Sequence, residues 1–399
     1  MLRLVFDRVY GPFFLGKLLS SSGMWINNVV CAIVAFQISQ SALVVGLVSV
    51  AQFIPQTLLA PLSGALADRG DRRRQLIVGR IIAASGSGAL ATWIFIVGVE
   101  GLPGYWPVLG AALVVGCGFM IGHPAMHSLV PSLVRPNELS AAITLSSMPF
   151  TVARAAGPAV GAIVAASAGP AWAFLLASAG NLAFAALLLP LKVGGRAERK
   201  PGADASVRAG LRYVRHDRYI VMLLIGITAV SFGADPVLTL TPALSEVLGQ
   251  GEHAVGIMAS FFGIGAAVAI PFVRLAQRGF GIAGAATAGL ALLVIGNVLA
   301  GFSFSLPLAV ASFAIAGFGM SLALPSFSTQ LQMHVDDQFR GRVMALWIVA
   351  FQGTRPIAAL VSGTLADITT VRIALVVMGA IITASALFFH FGRPRHDLG

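Results

Sequence analysis

Residues 63–74 read Ser63-Gly64-Ala65-Leu66-Ala67-Asp68-Arg69-Gly70-Asp71-Arg72-Arg73-Arg74, a knot of charge between two apolar runs at 43–67 and 75–98. Each run is long enough to cross a bilayer as a helix, which takes about 20 apolar residues. A short basic turn between two such runs is where a chain re-enters the membrane, and its arginines hold the inner face. A generic basic loop does not explain Gly64 four residues before Asp68. The glycine permits close helix approach, and the aspartate can cap the N-terminus of a neighbouring helix.

Further apolar runs extend outward from this turn, at 11–37, 105–125, 139–165, 170–191, 218–241, 253–274, 281–301, 306–327, 343–366 and 370–391. Over 399 residues, 57% are hydrophobic and only 10% charged, against about 25% charged in a globular protein. That leaves too little polar side chain to cover a soluble surface, and no polar stretch could build a large extramembrane catalytic or nucleic-acid-binding domain. The expected fold is an all-α polytopic membrane protein with twelve transmembrane helices in two pseudo-symmetric six-helix bundles, 1–191 and 218–399. A cytoplasmic linker, 192–217, joins them. It gathers Lys192, Arg196, Arg199, Lys200, Arg208, Arg212 and Arg215 around Pro201-Gly202, and 207–218 is expected to lie on the membrane surface as an amphipathic helix. Residues 1–10 read as a cytoplasmic start to a retained first helix and not as a signal peptide. Cys31 and Cys117 lie in apolar runs and read as inert thiols.

The net charge of +11 would suggest nucleic acid in a soluble protein. Sorted by side it is topology instead. With a cytoplasmic N-terminus, Arg372 alone falls outside and Arg154 and Arg355 fall within spans; every other Lys and Arg, including Lys17 and Arg80, is assigned to the cytoplasmic side. Lys17 is read as snorkelling to the inner interface. Glu100, Glu246, Glu252 and Asp367 fall in outer connections. Nucleic acid therefore drops out as a partner, and membrane lipid remains.

The two halves resemble each other. Arg154 and Arg355 are 201 residues apart, and Leu66-Ala67-Asp68-Arg69-Gly70 matches Leu275-Ala276-Gln277-Arg278-Gly279 in the same orientation, as in a parallel duplication. A further match, Ser63-Gly64-Ala65-Leu66-Ala67-Asp68 with Ser362-Gly363-Thr364-Leu365-Ala366-Asp367, falls on opposite sides of the membrane and is read as compositional coincidence.

The 64–74 segment resembles the loop signature of the major facilitator superfamily, and with twelve spans and a central linker the resemblance covers essentially the whole chain. It implies a conformational latch made by Gly64, Asp68, Arg69, Arg72 and Arg73, with Asp68 meeting the start of the eleventh span near 341–343. Asp71 departs from the pattern, standing where the signature has glycine, and the fourth span lacks the arginine of many proton-coupled members. Ala153-Arg154-Ala155-Ala156-Gly157-Pro158-Ala159-Val160-Gly161-Ala162 resembles the antiporter motif of drug exporters, with alanines in place of its outer glycines. Gly157, Pro158 and Gly161 then read equally as a hinge or as small residues for packing. Ser39-Gln40-Ser41-Ala42, Leu129-Val130-Pro131-Ser132-Leu133-Val134 and Arg340-Gly341-Arg342-Val343-Met344 add a resemblance to the enterobactin-exporter and macrolide-efflux branch. That implies export of amphipathic molecules, drug-like or siderophore-like, by proton antiport.

An ionisable residue in hydrocarbon is costly and is by default a functional candidate. Arg154, Arg355 and Asp235 lie about 22, 20 and 26 Å from the starts of their spans at 1.5 Å per residue. Asp235, directly before Pro236, reads either as a proton-carrying or substrate-sensing acid or as half of a structural ion pair with Arg355 or Arg154. Trp25, Asn27, Asn28 and Gln352 could line an amphipathic pocket, or serve as packing and interhelical glue. Gln52, Gln56 and Asn181 are read as glue, and His123 with His127 as locally hydrogen-bonded, because no further ligands complete a zinc site.

These readings converge on a transporter driven by the proton gradient, with no cofactor and no metal, not an enzyme, monomeric, and multi-pass in a bacterial-type cytoplasmic membrane with both termini cytoplasmic. A lipid or lysolipid translocator without proton coupling, and a non-transporting sensor or assembly protein, are the alternatives.

Overall fold

The computed structural model describes residues 2–59, 63, 66, 70–191, 214, 215 and 217–392. Gly64, Asp68 and Arg69 of the expected latch, and nearly all of the 192–217 linker with its amphipathic segment, lie outside the described residues. After a single turn at Leu2–Val5, the elements are α1 (Tyr10–Ser39), α2 (Ala42–Leu58), α3 (Arg72–Val97), α4 (Trp106–Leu129), α5 (Leu139–Ala168), α6 (Pro170–Leu188) and α7 (Arg218–Ala234). Two helices, α8 and α9, share the range Glu252–Gly301 and are divided at Gly281, whose φ of 71° and ψ of 165° are not helical. Then come α10 (Leu306–His334), α11 (Asp337–Ile348, prolonged by Arg355–Ile368) and α12 (Val371–Gly392).

Ten described helices are long and apolar enough to cross a membrane, the α8–α9 stretch counting as one and α2 falling below the length threshold. Divided at Gly281 and with α2 added, they correspond one for one to the twelve expected runs. The chain is an all-helical, multi-pass membrane protein.

Scarce carboxylates are used to start helices. Asp7 accepts from Val9 N at 2.8 Å and Tyr10 N at 2.9 Å. Asp217 accepts from Tyr219 N at 2.9 Å and Ile220 N at 3.2 Å. Asp71 accepts from Arg73 N at 2.9 Å and Arg74 N at 3.1 Å. Such caps satisfy amides that have no partner within the helix. The last of them explains the departure at position 71: the acid caps α3 where glycine could not.

Three expectations about boundaries need correction. The connection expected at 275–280 is helical, because nothing in Leu275-Ala276-Gln277-Arg278 breaks a helix, and the bend falls at Gly281 instead. The seventh run is not one helix: it breaks at Asp235-Pro236, since proline cannot donate to the turn before it, and continues as Pro236–Thr239 and Thr241–Val247. The eleventh run contains a wide π-helical turn, Val349–Gly353. Ala350 O, within that turn, accepts from Thr354 Oγ1 at 2.6 Å and Thr228 Oγ1 at 3.3 Å.

The described residues within Met1–Gln40, Leu47–Lys200 and Gly251–Ser260 form one compact unit, and those within Ser41–Gly46, Pro201–Gln250 and Phe261–Gly399 form the other. Both units use the same glycine pairing to bring two helices to backbone contact. A methyl group on Gly79 of α3 would lie 2.6 Å from Gly118 O of α4, and one on Gly289 of α9 would lie 2.7 Å from Gly319 O of α10. No larger side chain fits at either crossing.

Candidate functional site

In the second unit the break after α7 places Asp235 in the interior at 2% exposure. Its carboxylate accepts from Ser362 Oγ at 2.8 Å, and it interacts electrostatically with Arg355. Ser362 and Arg355 lie seven residues apart on α11, close to two helical turns, so they share a face. Asp235 is therefore held by a hydroxyl and a cation from a single helix. Gln352, half-buried, lies in the π turn three residues before Arg355.

In the first unit, the Arg154 guanidinium stands over the Trp25 ring, 5.6 Å from its centroid, a cation–π arrangement. Phe150 packs against the same indole at 5.9 Å. A methyl on Gly157 would come within 2.7 Å of Trp25 Cβ, and one on Gly161 within 3.0 Å of Ile26 Cα; here the antiporter-like glycines make room for α1. Pro158 disturbs the amide pattern of α5, and Ala159 N donates to Ser260 Oγ at 2.8 Å. A neighbouring hydroxyl thus satisfies backbone beside a proline within the membrane. Asn27 Oδ1 accepts from Ser87 Oγ at 2.9 Å, and Asn28 Oδ1 accepts from Gln52 Nε2 at 2.5 Å. The buried Trp25 Nε1 and Asn27 Nδ2 have no protein acceptor. The indole face, its Nε1 and Arg154 lie together beside α5, an apolar surface with a few fixed polar points, the pattern of a small-molecule site; Asn27, two residues on and bonded to Ser87 of α3, faces elsewhere.

The described arginines of the expected latch reach carbonyls at helix ends. Arg72 Nη1 donates to Ser128 O at 3.3 Å, and Arg73 Nε donates to Leu188 O at 2.8 Å, with a further contact from Nη2 to Leu189 O. These are cations at the C-terminal ends of α4 and α6, where the helix dipole favours them.

Two further features were misjudged from sequence. Arg80 and Lys17, assigned to the inner surface, are buried at 1% and 4% exposure. Asp367, read as part of a coincidental match, accepts from Ala42 N at 2.7 Å, from Leu43 N at 3.2 Å and from Ser41 Oγ. It caps α2, and a methyl on Gly363 would lie 2.6 Å from Ala42 O. Arg80 could have been found from its place more than a helical turn inside the 75–98 run. Asp367 could have been found from the pattern it shares with Asp68.

Among the described residues, no group of three or more His, Cys, Asp or Glu could hold a metal ion. His123 and His127 stack edge to face with centroids 4.8 Å apart.

A twelve-span helical bundle with charge inside its spans is the architecture of a secondary transporter, and comparison with known proteins agrees. The family model described as transmembrane secretion effector, MFS_3, matches residues 5–397. The chain belongs to this family of major facilitator transporters, which are not enzymes, and its relatives place it in the efflux branch. It is 24% identical over 396 residues to the MFS-type transporter YfiS of Bacillus subtilis, covering 94% of this chain and 91% of that one. It is 23% identical over 209 residues to macrolide efflux protein A of Streptococcus pyogenes, about half of each chain at 51%. Among solved structures it is similar to the nucleoside transporter NupG (D323A mutant), with TM-score 0.81 at 12% identity, covering 95% of this chain and 99% of that one.

Proposed function

We propose that this transporter is a secondary active exporter of amphipathic small molecules, drug-like or siderophore-like, and that it exchanges them for protons by alternating access. It works as a monomer in a bacterial-type cytoplasmic membrane, with both termini cytoplasmic as the positive-inside bias requires. The observation that carries the reading is Asp235, a carboxylate at 2% exposure at a helix break, held by Ser362 and within electrostatic reach of Arg355. Burial favours a neutral acid and a nearby cation favours a carboxylate. A conformational change that alters the approach of Arg355 therefore exchanges the two states, and this couples a proton to the turnover. The Trp25 indole face, with Arg154 over it, supplies the contact for substrate. Macrolide efflux protein A and multidrug resistance protein MdtH of Aeromonas hydrophila, the latter 26% identical over 309 residues, support export of drug-like cargo.

The test is dye efflux with simultaneous proton movement in everted vesicles carrying Asp235→Asn. Loss of proton-coupled efflux, with the protein still folded and inserted, is the expected result. Undiminished coupled efflux would remove Asp235 as the proton carrier. Flux that ignores a pH gradient already in the unaltered protein would favour the lipid translocator.

A further inference from the structure

The first unit contains a second group of ionisable side chains that the exporter mechanism leaves unused. Arg80 of α3 is fully buried, at 1% exposure. Its Nη1 donates to Ser20 Oγ at 2.8 Å, and Ser20 Oγ in turn donates to Asn181 Oδ1 at 2.7 Å. Phe119 covers one face of the guanidinium at 4.2 Å from Cζ. The other edge, Nε and Nη2, has no hydrogen-bond partner. Lys17 of α1, at 4% exposure, is close enough to Arg80 for their charges to interact, and His123 of α4 senses Arg80, Lys17 and His127. His123 and His127 each retain exposed surface as residues. Every titratable neighbour in this group is a base. The described carboxylates of the unit, Asp7, Asp71, Glu100, Glu138 and Glu252, all stand at helix starts or in connections.

The Nε–Nη2 edge of an arginine is one of the two that meet a carboxylate or phosphate with parallel hydrogen bonds. Here that edge faces Gly122 of α4, where a methyl group would lie 3.0 Å from Nη2 and 3.5 Å from Nε. The residue beside the unpartnered edge thus carries no side chain. A buried cation that is never compensated is strongly unfavourable, and a protein keeps such a group where function needs it.

We propose that Arg80, Lys17, His123 and His127 form an anion-binding site that takes the oxyanion group of an amphipathic molecule, a carboxylate, phosphate or sulfonate, on the Nε–Nη2 edge of Arg80. Arg80 supplies the two parallel donors, Lys17 supplies a second charge, and the exposed histidines stand at the approach. The cargo role of that molecule rests on the exporter reading; the site itself does not.

The test uses the full-length protein in phosphatidylcholine nanodiscs, with fluorescein as an anionic probe and rhodamine 6G as a cationic probe on the same ring system. Fluorescence anisotropy is expected to show fluorescein binding that weakens at least tenfold in Arg80→Gln and in Lys17→Gln and severalfold in Gly122→Ala, which blocks the edge without altering charge. Rhodamine 6G binding should stay within twofold. Arg80→Gln should unfold at or above the temperature of the unaltered protein. If that variant does not fold, Lys17→Gln and Gly122→Ala carry the test. Repeating it with phosphatidylglycerol in the disc separates the two sources: competition with fluorescein makes the anion a lipid headgroup, and unchanged fluorescein binding makes it a solute. Equal fluorescein binding in all variants, or equal losses for both dyes, overturns the proposal. Rhodamine efflux in vesicles without selective fluorescein binding would leave the exporter standing and remove this site; selective binding without efflux of either dye would do the reverse.

Discussion

The two units bury charge in opposite ways. In the second, Asp235 has a hydroxyl and a cation supplied by α11. In the first, Arg80 and Lys17 are buried among bases, and one edge of Arg80 has no partner. A charge compensated from within can change state only when its own helices move. A charge left uncompensated can be completed by something that enters. The difference teaches that equal-looking arginines in apolar runs can serve opposite ends.

The sharpest way to break this contrast is to remove one cation from each unit. Arg355→Gln leaves a buried acid with hydroxyl partners alone and is expected to cost about 3–5 kcal/mol, whereas Arg80→Gln is expected to cost nothing or to stabilise. Thermal unfolding of both variants in the same detergent checks this, and equal losses would erase the distinction. Next in size is steric. Gly161→Val drives a side chain into the backbone of Ile26, 3.0 Å from where even a methyl would sit, and overpacking of this kind costs about 1–3 kcal/mol. If substrate lies against Trp25, dye efflux should fall more than stability does. Smaller again are the caps. Asp367→Ala and Asp71→Ala should each cost about 1 kcal/mol, and a larger transport defect in Asp367→Ala would mark its cap as a moving part.

The smallest effect concerns pH. Burial alone would raise the Asp217 carboxyl, but the hydrogen bond from His334 at 2.8 Å, together with the amides of Ile220 and Tyr219, outweighs it and holds the group below the usual carboxylate range. The stabilisation from a depressed acid is present above its unfolded-state pKa and is lost as pH falls through the folded-state value. Unfolding followed below pH 4 should therefore show a shallower loss of stability in Asp217→Asn than in the unaltered chain.

The spans and their order were legible because hydrocarbon admits so few solutions that run length and charge placement suffice. The helix break at Asp235 was half legible: Pro236 stood in plain view, yet a uniform run of apolar residues argued for continuity. Arg80 and Lys17 were misread because positive charge near a span end has a ready explanation in topology, and burial is decided by which face of a helix meets its neighbours. Asp367 was set aside because its pattern falls on the opposite side of the membrane from that of Asp68. Inverted repeats nested within each half would place the two patterns in just that relation.

The wide turn at Val349–Gly353 carries one more implication. It holds a residue beyond the α-helical count, and the widened turn absorbs it, so the helix on either side keeps nearly the same phase. Deleting one residue there would restore a regular helix with Arg355 and Ser362 still facing Asp235, but would close the turn in which Ala350 O meets Thr228 Oγ1 of α7. A shortened helix should therefore keep the partners of its acid and lose a contact between α11 and α7.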